Sequence, residues 1–377
     1  MRLGAANSRS WHRDASVARP VTSRLAGLVR RPVIVAPMAG GPSTPRLVVA
    51  AAEAGALGFL AAGYKPPAGV AEQIAAVRAG TDEAFGVNVF VPGIPTVEPD
   101  GVRRYLSDLE PDAARLGVGL GEARFDDDGY EDKLSALIAD PAAVVSFTFG
   151  CPSAEVVRAL QEAGSSVVVT VTCPEEAAVA VAAGAGGPCA QGVEAGAHRG
   201  SFTDDDTWRS DYRLVDLLET LEGVGDVAVF AAGAVMLPSQ LAEVLDHGAV
   251  AAQCGTAFFR CPESGAHSLH KAALADGRYA TTAVTRAFSG RPARALVNRF
   301  VVEHPGAPAA YPEVNNATRP LRAAAASRGD IETMSLWAGE GYAKATDRAA
   351  GEVVEWLCSG SGSGSGSGVA SGRGPVS

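Results

Sequence analysis

The chain has 377 residues, with 42 acidic against 32 basic side chains, a formal charge of −10, 47% hydrophobic content and only 6% aromatic content. That charge excludes the counterion-release attraction that drives binding to nucleic acid or to an anionic membrane surface, so a small molecule is the expected partner. No apolar run is long enough to span a bilayer, and six cysteines without CxxC spacing, in a chain able to bury its own core, read as reduced cytoplasmic thiols.

Residues 1–20 are polar and dotted with Arg2, Arg9, Arg13 and Arg19; they read as a disordered start in preference to a mitochondrial-type presequence. From Pro32 onward, short Val/Ile/Ala-rich runs alternate with amphipathic stretches, the mark of βαβ units and a parallel sheet. Candidate strands are Val33–Met38, Leu57–Gly63, Phe85–Val91, Ser166–Thr172, Pro188–Gly192, Val227–Ala232 and Val250–Gly255, with a fourth strand at either Arg115–Gly119 or Ala142–Gly150. Helices are expected at Pro45–Ala54, Val70–Ala79, Ala154–Ala163, Pro174–Ala183, Leu214–Glu222 and Pro238–His247. About eight units favour a closed (β/α)8 barrel over an open doubly wound sheet. The expected organisation is a barrel over 21–257 plus 336–358, a mostly helical lobe over 258–335 covering its mouth, and a flexible Ser/Gly tail from 359 to 377. A last amphipathic helix is expected between Ser335 and Leu357.

Barrel sites form at the C-terminal ends of strands, which draws attention to Met38, Asn88, Gln191–Gly200, Gly233–Ala234 and Gln253–Thr256. The small residues of Ala231-Ala-Gly-Ala234 and Gln253-Cys-Gly-Thr256, after the seventh and eighth strands, suit a phosphate held on backbone N–H groups; each loop alone reads rather as a tight turn, and finding both together favours the phosphate. Asn88 interrupts an apolar strand and needs partners there, either a ligand edge or a neighbouring strand. Gln191 and Gln253 follow the same logic. His198, among small residues, reads as an exposed loop histidine with an ordinary pKa near ~6.5, suited to taking a proton from an acidic carbon. His267 and His270 read as an exposed helical pair, and no carboxylate joins them at ligand spacing, so no metal site is expected.

At these residues the chain resembles the nitronate monooxygenase (2-nitropropane dioxygenase) family. The resemblance rests on Ala36-Pro-Met-Ala-Gly-Gly41, Phe85-Gly-Val-Asn-Val-Phe90, Gln191-Gly-Val-Glu-Ala-Gly-Ala-His-Arg-Gly200, Gly255-Thr-Ala-Phe-Phe-Arg-Cys-Pro-Glu-Ser264 and Ser335-Leu-Trp-Ala-Gly339. It implies a TIM barrel holding FMN without a covalent bond, and oxidation of small anionic nitronates such as propionate 3-nitronate by O2 to a carbonyl compound and nitrite. It also implies His198 as the base for neutral nitroalkanes. FMN contacts are then expected from Met38, Asn88, Gln191, Gly196, Gly233, Ala234, Gln253, Cys254, Gly255 and Thr256, and substrate-side contacts from Tyr311, Asn315 and Arg319.

The chain departs from the family's pattern in several places, among them the lobe segment Tyr311–Arg319, where relatives often carry Tyr or His near Asn315 and Lys near Arg319. Ala197 and Ala234 stand where the family usually has glycine, and a methyl there strains any left-handed turn. Ala185-Gly-Gly-Pro-Cys-Ala190 replaces an apolar strand before Gln191, so the sixth strand is expected to start late or be distorted. Two other functions fit the same residues: NAD(P)H-dependent reduction of a quinone or an enoyl thioester, and FMN binding without turnover. A monomer and a homodimer are equally compatible with the sequence.

Overall fold

Eight of the short apolar runs form parallel strands that close on themselves in a computed structural model of the chain, which describes residues 21–96, 99–203 and 211–360. The start read as disordered and nearly all of the Ser/Gly tail lie outside the described residues. After α1 (Val21–Gly27) come β1 (Val33–Val35), α2 (Pro45–Glu53), β2 (Leu57–Ala61), α3 (Pro67–Gly80), β3 (Phe85–Phe90), α4 (Pro99–Arg115), α5 (Tyr130–Ala139) and β4 (Val144–Thr148). Next are α6 (Ala154–Ala163), β5 (Ser166–Val171), α7 (Pro174–Ala182), β6 (Gly187–Gln191), β7 (Ala197–His198), α8 (Leu214–Thr220), β8 (Phe230–Ala232), α9 (Pro238–Asp246) and β9 (Ala251–Cys254). Barrel order is β1-β2-β3-β4-β5-β6-β8-β9, closed by Val33 pairing with Ala252.

Helix starts follow local chemistry. Proline opens α2, α7 and α9, where a missing N–H costs nothing. Thr44 caps α2 by accepting from Leu47 N–H at 3.1 Å, and left-handed Gly164 ends α6.

Strand residues alternate between two buried layers. Ile34, Phe59, Val144, Val168, Cys189 and Phe230 fill the barrel interior, while Val35, Val87, Val145, Val169 and Ala190 face the helices. Burial on both faces is why these strands read as unbroken apolar runs.

The fourth strand is Val144–Thr148, and Arg115–Gly119 is instead the end of α4 and the turn after it. The sixth strand neither starts late nor breaks register: it begins at Gly187, and Val169 pairs with Pro188. Gly186 N–H already reaches Val167 O at 2.8 Å. The small residues are needed here because a Cβ on Gly187 would lie 1.8 Å from Ala228 O.

Beyond the barrel the chain adds α10 (Thr256–Phe259), α11 (Ser268–Ala273), β10 (Thr282–Thr285), β11 (Ala293–Leu296), α12 (Arg299–Glu303) and α13 (Glu313–Arg328). A second apolar cluster, with Phe288, Phe300, Val314 and Leu321, holds these elements together and recruits Tyr105 and Leu109 of α4, from between β3 and β4. An antiparallel sheet in the order β10-β11-β7, unread in the sequence, ties the His198 segment to this lobe. The expected helix over 335–357 is shorter than anticipated: α14 (Ala350–Cys358) follows irregular chain and one 3-10 turn (Tyr342–Lys344), and packs on α2 and α9.

Candidate active site

The inward positions nearest the C-terminal ends of the strands turn from apolar to polar. Above the Ile34–Phe230 floor stand Asn88, Ser146, Thr148, Thr170, Gln191 and Gln253, from five different strands. Asn88 is buried and its amide donates to Ser146 Oγ at 3.0 Å and Thr148 Oγ1 at 3.0 Å, so the neighbouring strand satisfies its donors. Its Oδ1, and the whole amide of Gln253, have no hydrogen-bond partner among the described residues.

Gln191 organises the segment that follows it. Its Nε2 donates to His198 O at 3.0 Å, and its Oε1 accepts from Gly200 N–H at 2.8 Å. Arg199 points inward and donates to Gly192 O at 2.6 Å, which fixes the turn from the other side. A Cβ on Gly196 would meet Gly339 N at 2.5 Å, so that glycine is required by packing against the 337–339 segment.

His198 is not an exposed loop residue. It lies half-buried in β7, paired with Ala293 of β11, and its ring faces Trp337 (5.3 Å between centroids), Tyr311 (5.7 Å) and Phe149 (5.8 Å). Its Nε2 is 2.8 Å from the Oγ of fully buried Ser289. Burial, followed by the positive charges of Arg291 and Arg322, pushes its pKa down to about 3. The ordinary value expected from the sequence is thereby corrected, because removing a cation from water next to two guanidiniums disfavours the charged form.

Next to this aromatic shell opens a cavity of about 240 Å³, walled by Tyr64, Phe90, Phe149, Arg291, Tyr311 and Arg319. Phe149 holds φ 76, a conformation that a bulky side chain adopts only when its surroundings impose it. Buried Arg291 stacks on it, with Cζ 4.1 Å from the ring centroid. Tyr311, Asn315 and Arg319 are thus brought to one cavity. Asn315 is buried and also accepts from Arg322 Nη2 at 2.8 Å.

The opposite rim is formed by Met38, Gly233, Ala234, Gly255 and Thr256, all half-buried. A Cβ on Gly255 would make only ordinary contacts, at 3.6 Å to Ala36 Cβ and 3.7 Å to Met38 Sδ, so packing alone does not demand glycine at this rim. Cys254 differs: its side chain is buried in the outer layer with Ala252, leaving only its backbone to address the mouth. Ala234 and Ala197 both have positive φ, 50 and 63. His270 is buried with Nε2 3.0 Å from Trp337 O, so only His267 of that pair is exposed.

Sequence reasoning did not reach Ser146, Thr148 and Thr170, because Ser and Thr are ordinary strand residues. Period-two polarity in Val144-Val-Ser-Phe-Thr148 was the available signal. Nor did it reach Tyr64, Phe149, Ser289, Arg291, Arg322 and Trp337, which meet only through the fold. Chemically, the site offers a polar ring able to meet the edge of a flat heterocycle, backbone loops able to hold an anionic tail, and an uncharged imidazole beside a cationic cavity.

A family model described as nitronate monooxygenase matches residues 22–360. A nitronate monooxygenase of Pseudomonas aeruginosa is 39% identical over 345 residues, covering 89% of this chain and 97% of the relative. A probable nitronate monooxygenase of Bacillus subtilis is 33% identical, covering 87% and 95%. Among solved structures, a nitroalkane oxidase from Streptomyces ansochromogenes superposes with a TM-score of 0.86 at 48% identity, covering 89% of this chain and 96% of that one. FabK from Thermotoga maritima, at 24% identity and a TM-score of 0.65, shares the fold.

Proposed function

The chain belongs to the nitronate monooxygenase family, and on that premise we propose that it oxidises small anionic alkyl nitronates with O2, using FMN, to a carbonyl compound and nitrite. The observation that carries this reading is the setting of His198. With a pKa pushed to about 3 by burial and two nearby guanidiniums, its imidazole is neutral at working pH and is a weak proton acceptor. An ionised nitronate needs no proton removed, and Arg291 and Arg319 at the same cavity favour an anion.

FMN, when bound, supplies the electron acceptor for the nitronate and the route to O2. The residues present fit such a group. Gln253 and Asn88 Oδ1 bring amide atoms without protein partners to the barrel mouth, where a flavin edge offers both donors and acceptors. Gly233, Ala234, Gly255 and Thr256 would lie along its phosphate end. Gln191 contributes by holding the His198 segment, and Met38 by closing the rim opposite Gly255.

When Ser289 donates its hydroxyl to Arg291 O, 3.2 Å away, its oxygen is left to accept from His198 Nε2–H. Nδ1 is then the nitrogen that would take a proton from the acidic carbon of a neutral nitroalkane. That step is slow for so weak a base, so nitronates are expected to be turned over far faster than their neutral acids.

Purified protein should be yellow and should release nitrite aerobically from a nitronate. Replacing His198 by Asn should reduce turnover of neutral nitroalkane by about 10²-fold or more, the scale of a lost general base, and that of nitronate much less. Anaerobic bleaching of the flavin by NADH or NADPH faster than by nitronate would overturn the reading.

A further inference from the structure

One end of the cavity beside His198 is built with more care than proton transfer or flavin binding requires. Tyr64 follows β2 with φ 66, a left-handed conformation that is unfavourable for a residue with a Cβ. It is held there: Asp128 Oδ1 accepts Tyr64 N–H at 2.9 Å, and Asp128, with φ 59, is fixed by the wholly buried Lys133 at 2.7 Å. The brace sets the Tyr64 hydroxyl 3.1 Å from the Tyr311 hydroxyl. Two phenols sharing one hydrogen bond have two protons. One lies between the oxygens, and the other remains available to a ligand.

Two guanidiniums flank this pair. Arg319 Cζ lies 5.7 Å from the Tyr64 ring centroid. Arg322, one turn along α13, is half-buried and donates to Asn315 O at 2.9 Å, Asn315 Oδ1 at 2.8 Å and Thr318 Oγ1 at 3.2 Å. Neither meets a carboxylate among the described residues. The acidic side chains at this cavity are engaged elsewhere: Asp126 with Arg124 at 3.1 Å, Asp127 with Gly129 N–H at 2.9 Å, and Asp128 with Lys133. With Arg319 exposed and Arg322 half-buried, this end of the cavity carries positive charge that no protein carboxylate neutralises directly, and it favours a ligand that brings the anion.

We propose that Tyr64, together with Tyr311 and Arg319 and with the charge of Arg322 behind them, forms a subsite for a carboxylate carried by the substrate at the end remote from the nitronate, and that Tyr64 is a specificity-determining residue of the enzyme. The inference rests on the oxidation reading and assigns to particular residues its preference among nitronates.

The test uses the flavin-loaded protein and two nitronates of equal length, propionate 3-nitronate and propane 1-nitronate, which differ by a carboxylate against a methyl. Tyr64→Phe keeps the ring under Arg319 and removes only the hydroxyl. It should raise KM for propionate 3-nitronate about tenfold or more, as loss of one hydrogen bond to a charged group does. Its kcat should be unchanged, and KM for propane 1-nitronate should stay within about twofold, the difference expected of a site that never touched the methyl. Arg322→Met should act in the same direction, and Arg322→Lys should recover part of the loss. Calorimetric titration with butyrate and butyramide reads the subsite without turnover: wild type should prefer butyrate, and Tyr64→Phe should lose the preference. Equal changes of KM for both nitronates, or equal binding of butyrate and butyramide by wild type, would overturn the proposal. A protein that binds butyrate through Tyr64 yet releases no nitrite from either nitronate would sink the oxidation reading and leave the subsite standing.

Discussion

His198 faces Phe149, Tyr311 and Trp337, and the charges of Arg291 and Arg322 act on it through a medium with little water. Its position after the sixth strand was legible because a histidine among small residues at a strand end is unusual. Its proton affinity was not, because every group that sets it comes from elsewhere in the chain. The sign of the consequence is definite. His198 and His270 titrate in the fold at about 3 and about 4, both lowered by burial first, against ~6.5 in an unfolded chain. The unfolded chain therefore takes up protons from pH ~6.5 downward while the folded chain does not. Stability is undiminished above that pH and falls as pH drops toward the folded values. Urea midpoints at pH 7.5 and 5 should show the loss, and His198→Asn should shrink it. Ala197 and Ala234 give a second prediction at this scale. Each holds an alanine at positive φ, which costs about 1–2 kcal/mol, whereas glycine adds back ~0.4–1 kcal/mol of unfolded-state entropy. Ala197→Gly and Ala234→Gly should each raise stability by about 0.5–1 kcal/mol, read as a higher Tm; a lower Tm in both would show that the turns are not strained.

Among the elements, the long apolar strands were legible from composition, and Asn88, Gln191 and Gln253 stood out as amides interrupting them. The sixth strand was misjudged because proline and two glycines lower strand propensity locally, while β5 and β8 on either side impose the register. The small residues there answer to packing. Gly187→Ala would drive a methyl into Ala228 O, 1.8 Å away, and should cost about 3 kcal/mol as overpacked sites do. Gly119→Ala, with open space around its Cβ, should be near neutral. Similar denaturation midpoints for the two variants would mean that the β6–β8 contact relaxes freely. The sheet β10-β11-β7 escaped the sequence for another reason: β7 is two residues long and its partner Ala293 lies 95 positions beyond His198. Local pattern carries no record of such a pairing.

Across the whole molecule, barrel and lobe have separate apolar clusters, and the candidate site lies where they meet. The lobe depends on a helix from within the barrel sequence. On α4, Asp112 accepts from Arg299 Nη2 at 2.9 Å, Arg115 Nη2 at 3.0 Å and His304 Nε2 at 2.9 Å. Asp112, Glu303 and His304 also lie close enough together to be considered as metal ligands, but the two guanidiniums already on Asp112 oppose a further cation. Burial alone would raise the Asp112 pKa; the hydrogen bonds from Arg299, His304 and Arg115 outweigh it and hold the carboxyl below its usual range. Its contribution is therefore present above the ordinary carboxylate pKa and lost as pH falls through the folded value. Asp112→Asn keeps the shape but leaves three donors facing an uncharged amide, and should cost about 1–3 kcal/mol, between an exposed and a buried ion pair because both arginines are partly solvated. Because the network lies in the lobe, the flavin-to-protein ratio at 25 °C should match wild type while the urea midpoint falls. Loss of flavin without loss of stability would place the network in the service of the site, and the lobe would then be part of the cofactor-binding apparatus.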